Sequence, residues 1–297
     1  MSQIENPLAK TSFSHQRNLS TGIRSVLSRR LPSSLRRQLK FFMLLPLDVV
    51  DLLLGRRKEL LPPRYLNFAG DGDFEATGNE FLQYFTDLAG LKREHRVLEV
   101  GCGIGRMARP LTTYLKEGSY EGIDIVPRGI RWCQGHISTK YPNFRFQLAD
   151  IKSAMYNPYG RFNPTEYRFP FGDSEFDFIF LTSVFTHMMK RDLENYLAEI
   201  ARTIRPNGTS LITFFLLNND TRQLITGGLS SLNFQFFREG SHIDDERNPD
   251  RAVAYDEEYI RALYGELGFT VETVRYGGWC GRTDSLSYQD IVVARKN

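Results

Sequence analysis

Cysteine is scarce in this chain of 297 residues: Cys102, Cys133 and Cys280 are all it has. Three scattered thiols exclude a disulfide framework or a zinc site, which suits a reducing compartment. No secretory leader is expected either, because the first twenty residues contain no apolar core. Nor is there an unbroken run of the roughly 20 apolar residues that a membrane-spanning helix needs. The most apolar stretch, residues 41–54 (FFMLLPLDVVDLLL), is interrupted by Pro46, Asp48 and Asp51. The sequence shows no internal repeat, low-complexity tract, metal-ligating cluster or phosphate-binding G-x-x-x-x-G-K-[ST] pattern. What is present, 41% hydrophobic and 25% charged residues, is enough for a sizeable packed core.

The net charge of +3 is unevenly spread. Residues 1–60 hold eleven Lys and Arg against Glu5, Asp48, Asp51 and Glu59, so this arm carries +7 and the remainder −4. A basic arm on a mildly acidic body points to a polyanion, either a membrane surface or nucleic acid. Residues 1–33 are polar and expected to be poorly ordered. Residues 34–60 are expected to form one or two helices interrupted at Pro46. With LRRQLK before it and GRRKE after it, the apolar stretch suits an interfacial helix on an anionic membrane. It equally suits an amphipathic helix docked on the domain. Pro62-Pro63 marks a linker. The expected division is therefore a basic, partly helical arm over 1–62 and a domain over 63–297.

From residue 96 short apolar runs alternate with helical periodicity, the pattern of βαβ units. RVLEV (96–100), SYEGIDI (119–125), RFQLA (145–149), FDFIFLTS (176–183) and TSLITFFL (209–216) read as strands. Helices are expected over 104–116, from the second strand to about 141, and over 191–205. The last places Leu193, Tyr196, Leu197, Ile200, Ala201 and Ile204 on one face. Pro206-Asn207-Gly208 reads as a turn. Beyond a polar insertion at 217–255, Asp256 is expected to cap a helix that ends at Gly268. Residues 269–276 and 287–295 have no helix between them and are expected to pair antiparallel at the sheet edge. Ahead of the first strand lie a glycine-rich loop (69–78) and a helix over 80–91.

The strongest motif is LEVGCGIGRMA (98–108), a buried strand running through Gly101, Cys102, Gly103, Ile104 and Gly105 into a helix. Glycines allow the sharp turn and the close approach of a ligand, and the following helix start offers unpaired amides. The dinucleotide pattern G-x-G-x-x-G would need a third glycine where Arg106 stands. Asp124 closes the second strand, where a carboxylate can accept ribose hydroxyls. Asp150 closes the third, where it can accept an adenine amino group while Ile151 packs the ring. Either acid alone could instead cap a helix.

Together these features resemble the class I S-adenosylmethionine-dependent methyltransferases, over roughly residues 80–297. VLEVGCGIGR is similar to the family's first motif, which holds the methionine part of the cofactor. Residues 169–188 are similar to its fourth-strand motif, and 200–215 to the helix, turn and strand that follow. The stretch from LPPRYLNFAGDGDF to YQDIVVAR resembles a poorly characterised bacterial subfamily. The resemblance implies an α/β, Rossmann-like three-layer sandwich: a mostly parallel seven-stranded sheet with an antiparallel C-terminal hairpin. It implies S-adenosyl-L-methionine as cofactor, bound by Glu99, Gly101, Cys102, Gly103, Gly105, Arg106, Asp124, Ile125, Asp150, Ile151, Leu181 and Thr182. Arg106 either pairs with the cofactor carboxylate or is a solvated first-turn residue. Phe74 either covers the cofactor or packs in the core. Cys102 answers a need for a small residue and is assigned no chemistry.

Family members that methylate nucleobase amines or amides usually carry [DN]-P-P-[YFW] after the fourth strand, whereas this chain has LTSVFTHM (181–188). Asn157-Pro158-Tyr159 falls after the third strand and reads as a turn. What remains is O-methylation, or N- or C-methylation of a small molecule; of these, a hydroxyl on a sugar, glycan, lipid-linked or other small-molecule acceptor is favoured. An alcohol acceptor gains about 10²–10⁴-fold from a general base. His187, just past the fourth strand, is the candidate; otherwise it only lines the pocket or ties its loop. The insertions at 152–171 and 217–255, with WCGR (279–282), are expected to shape the acceptor pocket. Rival readings are a nucleic-acid methyltransferase using the basic arm, a non-catalytic cofactor-binding module, and an NAD enzyme. The expected setting is cytoplasmic, with peripheral contact between residues 34–60 and anionic membrane.

Overall fold

A computed structural model describes residues 33–55, 59–67 and 72–297. The expectations for residues 1–32, for the basic flank at 56–58 and for 69–71 of the glycine-rich loop fall outside it. The chain divides into two units: residues 1–57 with 63–65, and residues 58–62 with 66–297.

In the first unit, α1 runs unbroken over Ser33–Leu53 with Pro46 inside it, correcting the expected interruption. Proline removes one amide donor and crowds the carbonyl four residues back. Turns already formed on either side make resumption favourable, since helix growth is easier than nucleation. Asp51 pairs with Arg64 at 2.6 Å, and Asp48 accepts the Arg64 amide at 3.1 Å. Phe42, Met43, Leu47, Val50, Leu53 and Leu54 are exposed.

In the second unit, α2 (Phe74–Asp87) starts earlier than expected because Asp73 caps it, accepting the Ala76 amide at 2.7 Å. Then follow β1 (Arg96–Val100), α3 (Ala108–Tyr114), β2 (Ser119–Asp124), α4 (Pro127–Cys133), β3 (Phe144–Leu148), β4 (Phe176–Leu181), α5 (Lys190–Thr203) and β5 (Ile204–Phe214). A π-helical turn, Gln134–Ser138, prolongs α4. Next come β6 (Leu216–Leu217), α6 (Asn219–Thr226), β7 (Phe236–Arg238), β8 (Ser241–Ile243), β9 (Val253–Asp256) and α7 (Glu257–Glu266). The chain closes with β10 (Phe269–Arg275) and β11 (Asp290–Lys296).

The main sheet has the order β10-β11-β5-β4-β1-β2-β3. β3, β2, β1, β4 and β5 are mutually parallel, while β11 runs antiparallel to both β5 and β10. This is the expected Rossmann-like sheet with its terminal hairpin. Strand order reverses between β1 and β4, which opens a crevice at the carboxyl ends of the strands. One face packs Phe85 of α2 on Phe178 and Phe180; the other packs Leu193, Leu197 and Ile200 of α5 on Ile179 and Leu181. Buried on both faces, the central strands read as near-continuous apolar runs.

Three local expectations change. Pro206-Asn207-Gly208 falls within β5 as an irregularity, with Asn207 at φ +62°, not as a separating turn. Asp256 makes no capping bond to α7; its carboxylate instead meets Arg222 and His242. The polar insertion is not loop but a second sheet, β6-β9-β8-β7, over a small core of Phe215, Leu217, Phe234, Ala254 and Trp279. Trp279 and Cys280 are buried in that core, so WCGR supports the insertion and does not line the cavity.

Candidate active site

A cavity of about 520 Å³ opens over the carboxyl ends of β1, β2 and β4. Its size is in the range typical of small-molecule sites. The glycine loop forms its floor. Gly101 leaves β1 at φ +86°, and a Cβ there would stand 2.4 Å from Val184 Cγ2. Gly103, at φ +58°, would point a Cβ into open space, so its bare backbone leaves room for a ligand.

Asp124 holds this loop to β2. The Gly103 amide donates to one carboxylate oxygen and the Val126 amide to the other, both at 2.7 Å. Burial pushes the carboxyl up to about 6, and the amide bonds oppose that rise. Each oxygen keeps a second lone pair for a ligand hydroxyl. Glu99 lies deeper and accepts the Tyr120 hydroxyl. Burial raises it to about 8; the Tyr120 bond opposes the rise, the Asp124 charge adds to it and Arg106 opposes it. The Cys102 thiol is buried and its pKa is pushed far up, which suits packing and not chemistry.

Of the residues expected at the cofactor, Glu99, Gly101, Cys102, Gly103, Arg106, Asp124, Ile125, Ile151 and Thr182 line this cavity. Gly105, Asp150 and Leu181 do not. Gly105 faces Ile137 and Cys133, and Leu181 is wholly buried in the core. The Asp150 carboxylate turns to Asn157 at 3.3 Å and Arg161 at 3.7 Å. Its neighbours Ala149 and Ile151 form the wall instead. Phe74 does not line the cavity; its ring lies 5.6 Å from the Arg106 guanidinium, which does, as do Thr77 and Phe81 of α2.

His187 closes a single 3₁₀ turn, Phe185–His187, after β4. Its Nδ1 lies 2.8 Å from the Asp250 carbonyl. Donation of Nδ1–H there leaves Nε2 of the neutral ring as a proton acceptor. Burial lowers the His187 pKa, with the Asp250 and Arg251 backbone opposing, so the neutral form dominates near pH 7. Tyr156 stands edge-on to the ring at 6.4 Å.

Both insertions reach the cavity, as expected: Lys152, Ser153, Tyr156 and Pro164 from one, Asp250 from the other. Asp192 and Tyr196 of α5, and Gln289 beside β11, also line it and were not anticipated. Gln289 Oε1 accepts the hydroxyls of Thr213 at 2.7 Å and Ser183 at 3.0 Å, and Thr213 Oγ1 accepts the Ser183 amide at 2.8 Å. These bonds hold Ser183 at φ +58° and so fix the loop that leads to His187.

Residues 97–208 match a family model described as a methyltransferase domain. Among curated relatives, phthiotriol/phenolphthiotriol dimycocerosates methyltransferase 1 of Mycobacterium ulcerans is 31% identical over 125 residues, 42% of this chain and 39% of that one. A fatty-acid O-methyltransferase of Mycolicibacterium smegmatis is 30% identical over 118 residues, 40% of this chain and 36% of that one. The match thus spans about two fifths of these relatives' length. Among solved structures, the PH0226 protein of Pyrococcus horikoshii shares the fold, with TM-score 0.55 and 17% identity over 78% of this chain and 95% of that one. Over residues 97–208 the chain is thus similar to methyltransferase domains, and its sheet has the Rossmann-like order.

Proposed function

We propose that this protein methylates an oxygen of a lipid-linked, glycan or other small-molecule acceptor, using S-adenosylmethionine. The observation that supports this best is the His187–Asp250 bond, which presents a neutral imidazole to the cavity that the glycine loop floors. The cofactor brings a methyl group already activated on sulfonium, so the chain has mainly to bind, orient and remove a proton. Gly101, Gly103 and Asp124 suit the nucleoside and amino-acid parts. His187 Nε2 would take the proton of an acceptor hydroxyl, and S-adenosylmethionine, when bound, would supply the methyl group. Arg106 suits the cofactor carboxylate, close to the loop amides.

The relatives named for phthiotriol and fatty-acid methylation favour a long-chain acceptor here. The exposed apolar side of α1, between the basic stretches 36–40 and 56–58, suits peripheral contact with an anionic membrane where such acceptors reside. No helix among the described residues is long and apolar enough to cross a membrane.

The test is calorimetric titration with S-adenosylmethionine, its demethylated product and NAD. Labelled-methyl transfer into lipid and glycan fractions follows. Binding of the first two ligands and label in an extractable ether or ester support the proposal; NAD binding alone, or label only in nucleic acid, sinks it.

A further inference from the structure

We propose that the acceptor end of this cavity selects a neutral polyol, an alcohol with a second hydroxyl beside the one methylated, and rejects carboxylates. This deepens the methyltransferase reading and rests on it.

Past His187 the wall is built by Asp192 and Tyr196, one turn apart on the same side of α5, and by Asp250 from the insertion. Tyr196 is only 5% exposed, yet its hydroxyl has no hydrogen-bond partner among the described residues. That hydroxyl opens on the cavity, where it can donate to and accept from a ligand atom. Asp192 is half-buried and makes no ion pair among the described residues; the Met189 backbone is its one hydrogen-bonding neighbour. Burial, with the Asp250 and Glu239 charges, lifts its carboxyl to about 6, so it is mostly ionised above neutral pH. The Asp250 carboxyl is also raised by burial and makes no ion pair among the described residues.

The other groups facing this end are few. His187 is neutral, Lys152 is exposed, and the Arg238 charge acts on Asp250. A carboxylate entering here meets two fixed negative charges. A diol finds a strong acceptor in Asp192 and a donor and acceptor in Tyr196. One hydroxyl so held leaves its neighbour for His187.

The full chain is saturated with S-adenosylhomocysteine, then titrated with 1,2-octanediol and with octanoate at about pH 7.5, where octanoate is ionised. The diol is expected to bind at least about tenfold more tightly than octanoate. Asp192→Asn keeps an acceptor for the Met189 amide and is expected to narrow that ratio to about threefold or less. Tyr196→Phe is expected to weaken the diol alone, with melting temperature held or raised. Octanoate binding as tightly as the diol overturns the proposal, as does failure of both ligands to bind the loaded protein. Failure of S-adenosylhomocysteine itself to bind sinks the methyltransferase reading, and this inference with it.

Discussion

The Gly103 amide donates to Asp124 Oδ2 at 2.7 Å, so the carboxylate at the end of β2 fastens the glycine loop leaving β1. The same side chain faces the cavity and suits a cofactor hydroxyl. Its removal therefore acts twice. Asp124→Ala is expected to weaken S-adenosylhomocysteine binding by about 1.5–3 kcal/mol, as for loss of charge-assisted hydrogen bonds. It should also lower the melting temperature, because the Gly103 and Val126 amides lose their acceptor. Calorimetry and thermal denaturation check both, and an unchanged affinity would remove Asp124 from the cofactor site.

His187→Ala is expected to slow methyl transfer by about 10²–10⁴-fold while leaving cofactor affinity within about twofold. The burial that lowers its pKa predicts a pH profile flat above neutrality, with activity falling only below pH 6.5 as the ring gains a proton. Initial rates on a labelled-methyl acceptor fraction would show this. A profile still rising above pH 8 would point to another base.

Glu99 offers a stability test. Its folded pKa of about 8 lies above the ordinary carboxylate value, so between about pH 4.5 and 8 the folded state holds a proton that the unfolded chain has lost. The stabilising contribution is full below pH 4.5 and is lost as pH rises through 8. Glu99→Gln, which cannot ionise, should show a smaller fall in melting temperature between pH 6 and 9 than the wild type. Parallel curves would mean that Glu99 is already ionised at pH 6.

Leu47→Glu with Val50→Glu, both on exposed positions of α1, should reduce flotation with anionic liposomes at low salt and leave cofactor binding intact. Flotation should also fall with added salt, since each Lys or Arg near the surface contributes only about 1 kcal/mol. Equal flotation of the variant, or none by the wild type, would remove the membrane from the proposal.

The glycine loop, Asp124 and the strand sequence were legible without coordinates because each is local. A buried strand must be apolar, a tight turn needs glycine, and the acid ends its own strand. The acceptor wall was less legible. Asp192 reads as the polar side of an amphipathic helix, and only its placement over β4 turns it inward. Asp250 sits in a stretch whose polarity suggested a loop, since β7, β8 and β9 are too short to show alternation. Asp150 shows the converse: it ends its strand as a ligand-binding acid would, but Asn157 and Arg161 hold it aside. Gln289 had no signal of its own, being one polar residue before an apolar strand.

The sequence by itself thus determined the parallel sheet, its antiparallel edge, the glycine loop and His187 as a residue at the crevice. Tertiary structure alone decided which side chains meet across the cavity, because His187, Asp250, Tyr196 and Gln289 come from elements distant in the chain. Their encounter depends on packing and strand order, which no local pattern encodes.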